Sequence, residues 1–179
     1  MTRQHSLAAA SVIALLLPFG QTALAQETMP MGTMTATIDG DTYEGQTLDV
    51  PSEGTSTAEV RSIGPMLSVS IQAHDPQADS ILQGILVVDF MLMGAGGSLA
   101  PMTPSISWWP EGMNAAFFQS EEGGAAAVTL DTLSLDDPAS AAGRFTATLC
   151  RKDSFFAEAD TDDCRTVEGH FATALRDAS

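Results

Sequence analysis

Residues 80–93, SILQGILVVDFMLM, are the one segment of this chain that a buried helix could also explain, so they decide the fold class. From position 82 onward the even-numbered residues are all apolar, whereas the odd-numbered ones include Gln83 and Asp89. A polarity period of two, a Val-Val pair and the internal Gly84 favour a strand. We therefore predict a central strand here, and a buried helix is the alternative.

Segments with the same period lie on both sides of this one. Before it, Met66–His74 alternates apolar and polar residues, and Asp39-Gly40 supplies the two-residue turn of a hairpin over residues 34–43. After it, Gly94–Pro104 is predicted to be a loop, because it is rich in Gly and Pro. The later predicted strands are Ile106–Trp109, Ala115–Gln119, Ala126–Leu135 with a bulge near Asp131-Thr132, Arg144–Arg151 and Arg165–Arg176. About ten short strands predict an all-β fold, a single antiparallel β-sandwich or barrel.

The N-terminus has the features of an export signal. Residues 1–25 contain Arg3, an apolar run and the small-residue site Ala23-Leu24-Ala25, which predicts a signal peptide cleaved before Gln26. Residues 26–32 are predicted to be a flexible tether, and residues 33–179 to be the β domain. We therefore expect a periplasmic or secreted protein with no integral membrane segment after cleavage.

Composition excludes several classes of protein. The 179 residues include 7 Lys and Arg against 23 Asp and Glu, a formal net charge of −16. Such a balance excludes a nucleic-acid binder and an anionic-membrane binder, since both need clustered cationic side chains. With 44% hydrophobic residues the chain is not disordered as a whole.

The only two cysteines, Cys150 and Cys164, are predicted to form a disulfide, because an exported chain with an even cysteine count oxidises. Both fall on the outward phase of their strands. Pairing them sets the register and places Arg144 opposite His170, Phe145 opposite Gly169, Thr146 opposite Glu168 and Thr148 opposite Thr166. These are favourable cross-strand neighbours. A redox-active pair is disfavoured, since it requires C-x-x-C spacing.

Two sets of residues are candidate metal ligands. The carboxylates of Glu158, Asp160, Asp162 and Asp163 lie close together in sequence, as a Ca²⁺ site requires. The segment lacks the glycine and the distant Glu of an EF-hand, and a solvated acidic loop is the favoured explanation. The thioethers of Met29, Met31 and Met34 suit Cu(I), although methionine also fills cores.

Four aromatic residues, Trp108, Trp109, Phe117 and Phe118, form the candidate ligand or partner surface. Adjacent aromatics on a strand point to opposite faces, so one of each pair is exposed or covered by a loop. The alternative is that both faces are buried.

Catalytic residues are not identified. After cleavage two histidines remain, His74 and His170, and both fall on outward strand positions. The sequence contains no G-x-S-x-G motif whose serine either histidine could activate. The sequence therefore favours a protein that is not an enzyme, and a hydrolase with an unidentified site is an alternative.

The stretches TATIDGDTY (35–43), GRFTATL (143–149) and VEGHFATAL (167–175) resemble uncharacterised secreted or periplasmic β-rich domains of bacteria. The resemblance implies an all-β extracytoplasmic domain and no catalytic residues. We expect an exported acidic β domain that binds a ligand or partner at the envelope, with metal binding and hydrolysis as alternatives.

Overall fold

The chain forms strands and no helix in the part that the computed structural model describes, which is residues 27–95, 98–121 and 125–178. The strands are β1 (Met29–Ile38), β2 (Asp41–Val50), β3 (Thr55–Ser56), β4 (Ala58–Ile63), β5 (Met66–His74), β6 (Ile85–Ala95), β7 (Ser98–Trp109), β8 (Phe117–Gln119), β9 (Ala127–Ser134), β10 (Ser140–Lys152), β11 (Asp160–Ala174) and β12 (Arg176–Asp177). The all-β prediction is confirmed. The predicted signal peptide, residues 1–25, lies outside the described residues.

All twelve strands belong to one sheet, in the order β12-β4-β5-β6-β7-β8-β10-β11-β1-β2-β3, with β9 paired to β10. Each pair is antiparallel except β12 with β4, which makes the sheet mixed. The sheet closes on itself where Gln46 of β2 pairs with His74 of β5. The fold is therefore one closed sheet and not two sheets packed face to face.

Tyr43 reinforces this closure from the core. Its buried hydroxyl donates to the carbonyl oxygens of Ala73, at 2.7 Å, and Gly84, at 3.0 Å. Burial raises the pKa of Tyr43 above its ordinary value, so the hydroxyl keeps the proton that it donates.

The even-numbered residues of the part of residues 80–93 that lies in β6 face the core. Leu86, Val88, Phe90 and Leu92 are all at most 2% exposed, and the ring of Phe90 lies 6.4 Å from that of Phe171. The other large side chains of this core are Met34, Ile71, Ile106, Phe145 and Leu149. Since side chains fill the interior, the outward positions are the ones available to a ligand.

The first hairpin matches the prediction at its turn. Asp39 and Gly40 have φ angles of 53° and 97°, the positive values of a two-residue primed turn, and Ile38 pairs with Asp41 across it. The hairpin is longer than predicted, because β1 begins at Met29 and not at Thr33. Residues 29–32 of the predicted tether are therefore part of the sheet.

The register of β10 and β11 is the one that the cysteine pair predicts. Cys150 lies opposite Cys164, and their sulfur atoms are 1.96 Å apart, at disulfide distance. Arg144 faces His170, Phe145 faces Gly169, Thr146 faces Glu168 and Thr148 faces Thr166. The predicted bulge in β9 is also present, since Leu130 pairs with Gly143 and Thr132 with Ala142, which leaves Asp131 as the extra residue.

The predicted loop over Gly94–Pro104 is wrong. The described residues on either side of positions 96–97 continue β6 and β7 as one long hairpin, with Leu92 paired to Pro101. Proline is tolerated here, because β7 pairs with β8 only at Ser107 and Trp108, so the earlier part of β7 is an edge on that side. Within residues 80–93, the predicted central strand begins only at Ile85. Leu82 lies in the preceding turn and is 54% exposed.

Candidate functional site

Outward residues of five neighbouring strands, β9, β10, β11, β1 and β2, align in rows across the sheet. The pairing partners give one row of Thr129, Arg144, His170, Thr35 and Glu44, and a second row of Ala127, Thr146, Glu168, Thr37 and Thr42. The residues that alternate with these rows along each strand, such as Ala36, Phe145 and Val167, are apolar and face the core. The residues of the two rows therefore face outward. Outward threonines therefore form a regular array of hydroxyl groups.

Part of this array lines an open groove of about 780 Å³. The polar side chains along it are Thr35, Thr37, Thr42, Asp131, Arg144, Thr146, Glu168 and His170, and we call this surface the threonine groove. A smaller depression of about 470 Å³ shares Thr37, Thr146 and Glu168 with it and adds Thr148 and Thr166. The two together run along the outer face of β10 and β11.

Two polar contacts fix side chains at one end of the threonine groove. The guanidinium of Arg144 lies 3.0 Å from the carboxylate of Asp131, the bulged residue of β9. Nε2 of His170 lies 2.8 Å from the hydroxyl of Thr35, within hydrogen-bond distance. Arg144 is therefore already paired with a carboxylate, and Glu168 adds a second negative charge nearby.

The floor of the groove is backbone over aromatic rings. Gly169 lies opposite Phe145, and a Cβ at Gly169 would be 2.6 Å from Cζ of that ring. Likewise a Cβ at Gly143 would be 3.0 Å from Cζ of Phe171. The two rings support the strands from the core side, so the groove has a well-packed floor.

No protein-family model, curated protein or solved structure matches this chain. Within residues 27–95, 98–121 and 125–178, no helix has the length and apolarity that crossing a membrane requires.

The four predicted surface aromatics lie outside the threonine groove, and three of them are buried. Trp109 and Phe117 stack with ring centroids 4.0 Å apart and are 7% and 1% exposed. They form an outer cluster with Ile85, and the ring of Phe155 lies 5.3 Å from each of them. Trp108 and Phe118 pack on the core side. Three of the four aromatics are therefore buried, as the second alternative predicts, whereas Trp108 is only partly buried.

His74 is on an outward position, as its phase predicts, but it is buried beside this outer cluster. It pairs with Ile85, which pairs with Trp109, and it is 9% exposed. Its Nδ1–H donates to the carbonyl of Ile81 at 2.7 Å, whereas Nε2 has no hydrogen-bond partner among the described residues. Desolvation lowers the pKa of His74, and the imidazole is therefore held neutral at pH 7.

Asp89 is a half-buried titratable group on this side of the sheet. It lies between Ser70 and Ser105 in the strand pairing. Desolvation raises its pKa, and a hydrogen bond from the Ser70 side chain partly offsets that effect. Neither Asp89 nor His74 lines the threonine groove.

The predicted Ca²⁺ ligands lie at the start of β11. Asp163 binds the guanidinium of Arg165 at 3.1 Å, and the carboxylate of Asp160 accepts from the backbone N–H of Asp162 at 3.0 Å. In the part of the chain that the structure describes, no group of three or more His, Cys, Asp or Glu residues is arranged to hold a metal ion. Ca²⁺ binding by Glu158 and these aspartates stays a prediction.

The methionines predicted to bind Cu(I) occupy three different environments. Met29 is 47% exposed, Met31 is partly buried against the core and Met34 is fully buried within it. Met34 therefore acts as a core residue.

The sequence contained a signal for the threonine groove that motif reasoning missed. Thr33, Thr35 and Thr37 alternate along β1, and Thr146 and Thr148 do so along β10. Two T-x-T repeats indicate two hydroxyl-bearing strand faces. That β11 brings these faces together follows only from the strand order.

Proposed function

We propose that this protein is an exported, non-enzymatic binding module whose threonine groove receives a neutral, hydroxyl-rich ligand of the carbohydrate class. The observation that carries the proposal is the in-register array of Thr35, Thr37, Thr42 and Thr146. A threonine hydroxyl both donates and accepts hydrogen bonds, as sugar hydroxyls do. An array with spacings of about 4.8 Å between strands and about 6.8 Å along them matches a ligand with many such groups.

The charges support a neutral ligand. Arg144 is paired with Asp131, and Glu168 leaves the groove with an excess of negative charge. An anionic ligand would meet this excess without a free guanidinium to offset it. The open shape of the groove favours an extended chain over a small enclosed molecule.

The disulfide supports export. Disulfides persist in oxidising compartments outside the cytoplasm, and Cys150–Cys164 holds the β10–β11 pair that carries half of the groove. Periplasmic or secreted location is part of the same proposal.

Titration with neutral oligosaccharides, followed by backbone amide shifts, tests the proposed function. With maltohexaose and chitotetraose as probes, we expect shifts confined to the strands that line the groove, which are β1, β2, β9, β10 and β11. The double variant Thr37→Val, Thr146→Val should bind about thirtyfold more weakly, because it loses two hydrogen bonds worth about 1 kcal/mol each. Thr129→Val is the matched control, since Thr129 is exposed on the same face but does not line the groove.

Two results would contradict the proposed function. Absence of shifts with both neutral probes would exclude this ligand class. Shifts in the groove with a sulfated oligosaccharide alone would show that it selects anions.

A further inference from the structure

Three loops meet at the end of the sheet where β5, β7 and β10 finish, over residues 75–84, 110–116 and 153–159. The backbone N–H of Gly84 donates to the carbonyl of Pro110 at 3.1 Å, which joins the first loop to the second. Phe155 in the third loop packs on Trp109, the residue before the second loop. The three loops therefore form one continuous surface, which we call the loop end.

The loop end concentrates exposed apolar side chains. Ten large apolar side chains are exposed among the described residues, and five of them lie on these loops. They are Ile81 at 50%, Leu82 at 54%, Met113 at 56%, Phe155 at 61% and Phe156 at 99% exposure. Apolar groups grouped in this way mark an interaction surface, since each would be more stable out of water.

The loop that carries Phe156 is held by contacts of neighbouring residues, although the Phe156 side chain itself is almost fully exposed to solvent. Its neighbour Phe155 is anchored on the Trp109–Phe117 stack, and the guanidinium of Arg151 binds Asp153 at 3.0 Å. The disulfide closes the base of the same loop. These contacts restrain the loop backbone on both sides of Phe156, which reduces the backbone entropy lost when an aromatic side chain there becomes an interface anchor.

Charge restricts what can bind there. The three loops carry five carboxylates, at Asp75, Asp79, Glu111, Asp153 and Glu158, and no Lys or Arg. Arg151 and Lys152 lie just before the third loop, and Arg151 already binds Asp153, so the excess of negative charge comes from the other four carboxylates. A second copy of this chain would bring two acidic rims together, and an anionic lipid surface would be repelled. The complementary partner has apolar side chains flanked by cations.

We propose that the loop end is a docking surface for a cationic amphipathic polypeptide segment, with Phe156 as its anchor. The apolar side chains of the segment cover Phe156 and Leu82, while its Lys or Arg side chains face the carboxylates of the rim. This surface is separate from the threonine groove, so the two sites are occupied independently.

Fluorescence anisotropy of the intact protein with labelled synthetic peptides tests the docking surface. The probe is a peptide in which Leu and Lys alternate, and the matched control peptide has Glu in place of Lys. We expect the Lys peptide to bind at least about tenfold more tightly than the Glu peptide, and to weaken as salt is raised to about 0.5 M.

Substitutions then locate the site. Phe156→Ser should weaken binding of the Lys peptide at least about tenfold, because it removes the anchor. Leu135→Ser is the control, since Leu135 is 43% exposed on the connection before β10, at the opposite end of that strand. Thr37→Val should leave peptide binding unchanged, which separates this surface from the groove. An unchanged urea midpoint for Phe156→Ser shows that the fold is intact.

Several outcomes would overturn the proposal. They are equal affinity for the two peptides, or no effect of Phe156→Ser. Binding to phosphatidylcholine vesicles with no binding of either peptide would instead assign a lipid surface. A dimer in sedimentation that Phe156→Ser converts to monomer would assign a second copy of the chain.

Discussion

Two regions of the outer face of the same closed sheet are built in opposite ways. In the threonine groove, outward residues such as Thr37 and Thr146 are polar and stay exposed. On the side of β5 to β8, outward residues such as Ile85 and Trp109 are apolar, and Phe155 on a loop packs over them. Strand alternation therefore determines which face a side chain occupies, and the loops determine whether that face meets water.

The largest expected effect separates these two regions by stability. Phe117→Ala should lower the free energy of unfolding by about 3–5 kcal/mol, because the side chain is 1% exposed and stacks on Trp109. Thr37→Ala, on the exposed groove, should change it by less than about 0.5 kcal/mol. Urea unfolding of both variants measures the contrast. Similar values for the two would mean that the outer cluster contributes no more than a solvated surface.

Removal of the disulfide tests the two regions together. The disulfide joins β10 to β11, which carry part of the threonine groove, and the loop with Phe155 lies between these two strands. The double variant Cys150→Ala, Cys164→Ala should lose about 3 kcal/mol, the entropy of closing a loop of this size. Thermal unfolding of the wild type with and without a reductant provides the matched comparison. A reduced wild type that unfolds at the oxidised midpoint would contradict this expectation.

Gly169→Ala tests the floor of the groove. The added Cβ would lie 2.5 Å from the carbonyl oxygen of Thr35 and 2.6 Å from Cζ of Phe145, so a loss of about 1–3 kcal/mol is expected. Adding Phe145→Leu should make the penalty of Gly169→Ala smaller, because part of the clash is with that ring. Additive losses in a double-mutant cycle by urea unfolding would argue against this close packing.

The smallest expected effect is the pH dependence of the free energy of unfolding that His74 causes, on the β5 to β8 side of the sheet. The pKa of His74 is lower in the folded chain than the ordinary 6.5, so below about pH 6.5 the unfolded chain takes up the proton first. The free energy of unfolding should therefore fall as pH is lowered through this range, and level off below the folded pKa. His74→Gln should flatten the dependence, measured by urea unfolding between about pH 5 and pH 8. An unchanged slope in His74→Gln would assign the dependence to other groups.

Some of the fold was predictable because the chain constrains itself locally. The Asp39-Gly40 turn follows from the positive φ angles that the turn requires, and the β10–β11 register follows from the parity of Cys150 and Cys164. The bulge at Asp131 follows from a phase slip that only an extra residue explains. In each case a short stretch of sequence contains the whole physical argument.

Other predictions were wrong because the local amino-acid composition favours one structure, whereas strand pairing and packing favour another. Gly94–Pro104 has the residues of a loop, yet most of it pairs in the β6–β7 hairpin, because its prolines fall where β7 is an edge. The outward phase of His74 predicted exposure, and the carbonyl of Ile81 in a nearby loop covers it instead. Phe155 and Phe156 lie between strands, where alternation predicts nothing about contacts.

The sequence by itself determined that the chain is all-β, which residues face the core and how the last two long strands pair. The tertiary structure alone decided that β11 lies between β10 and β1, and this order assembles the threonine groove. It also decided that Phe155 packs on Trp109 and that its neighbour Phe156 is exposed. The physical reason is that alternation and turn chemistry act over a few residues. Strand order and loop packing instead depend on contacts between residues far apart in the chain.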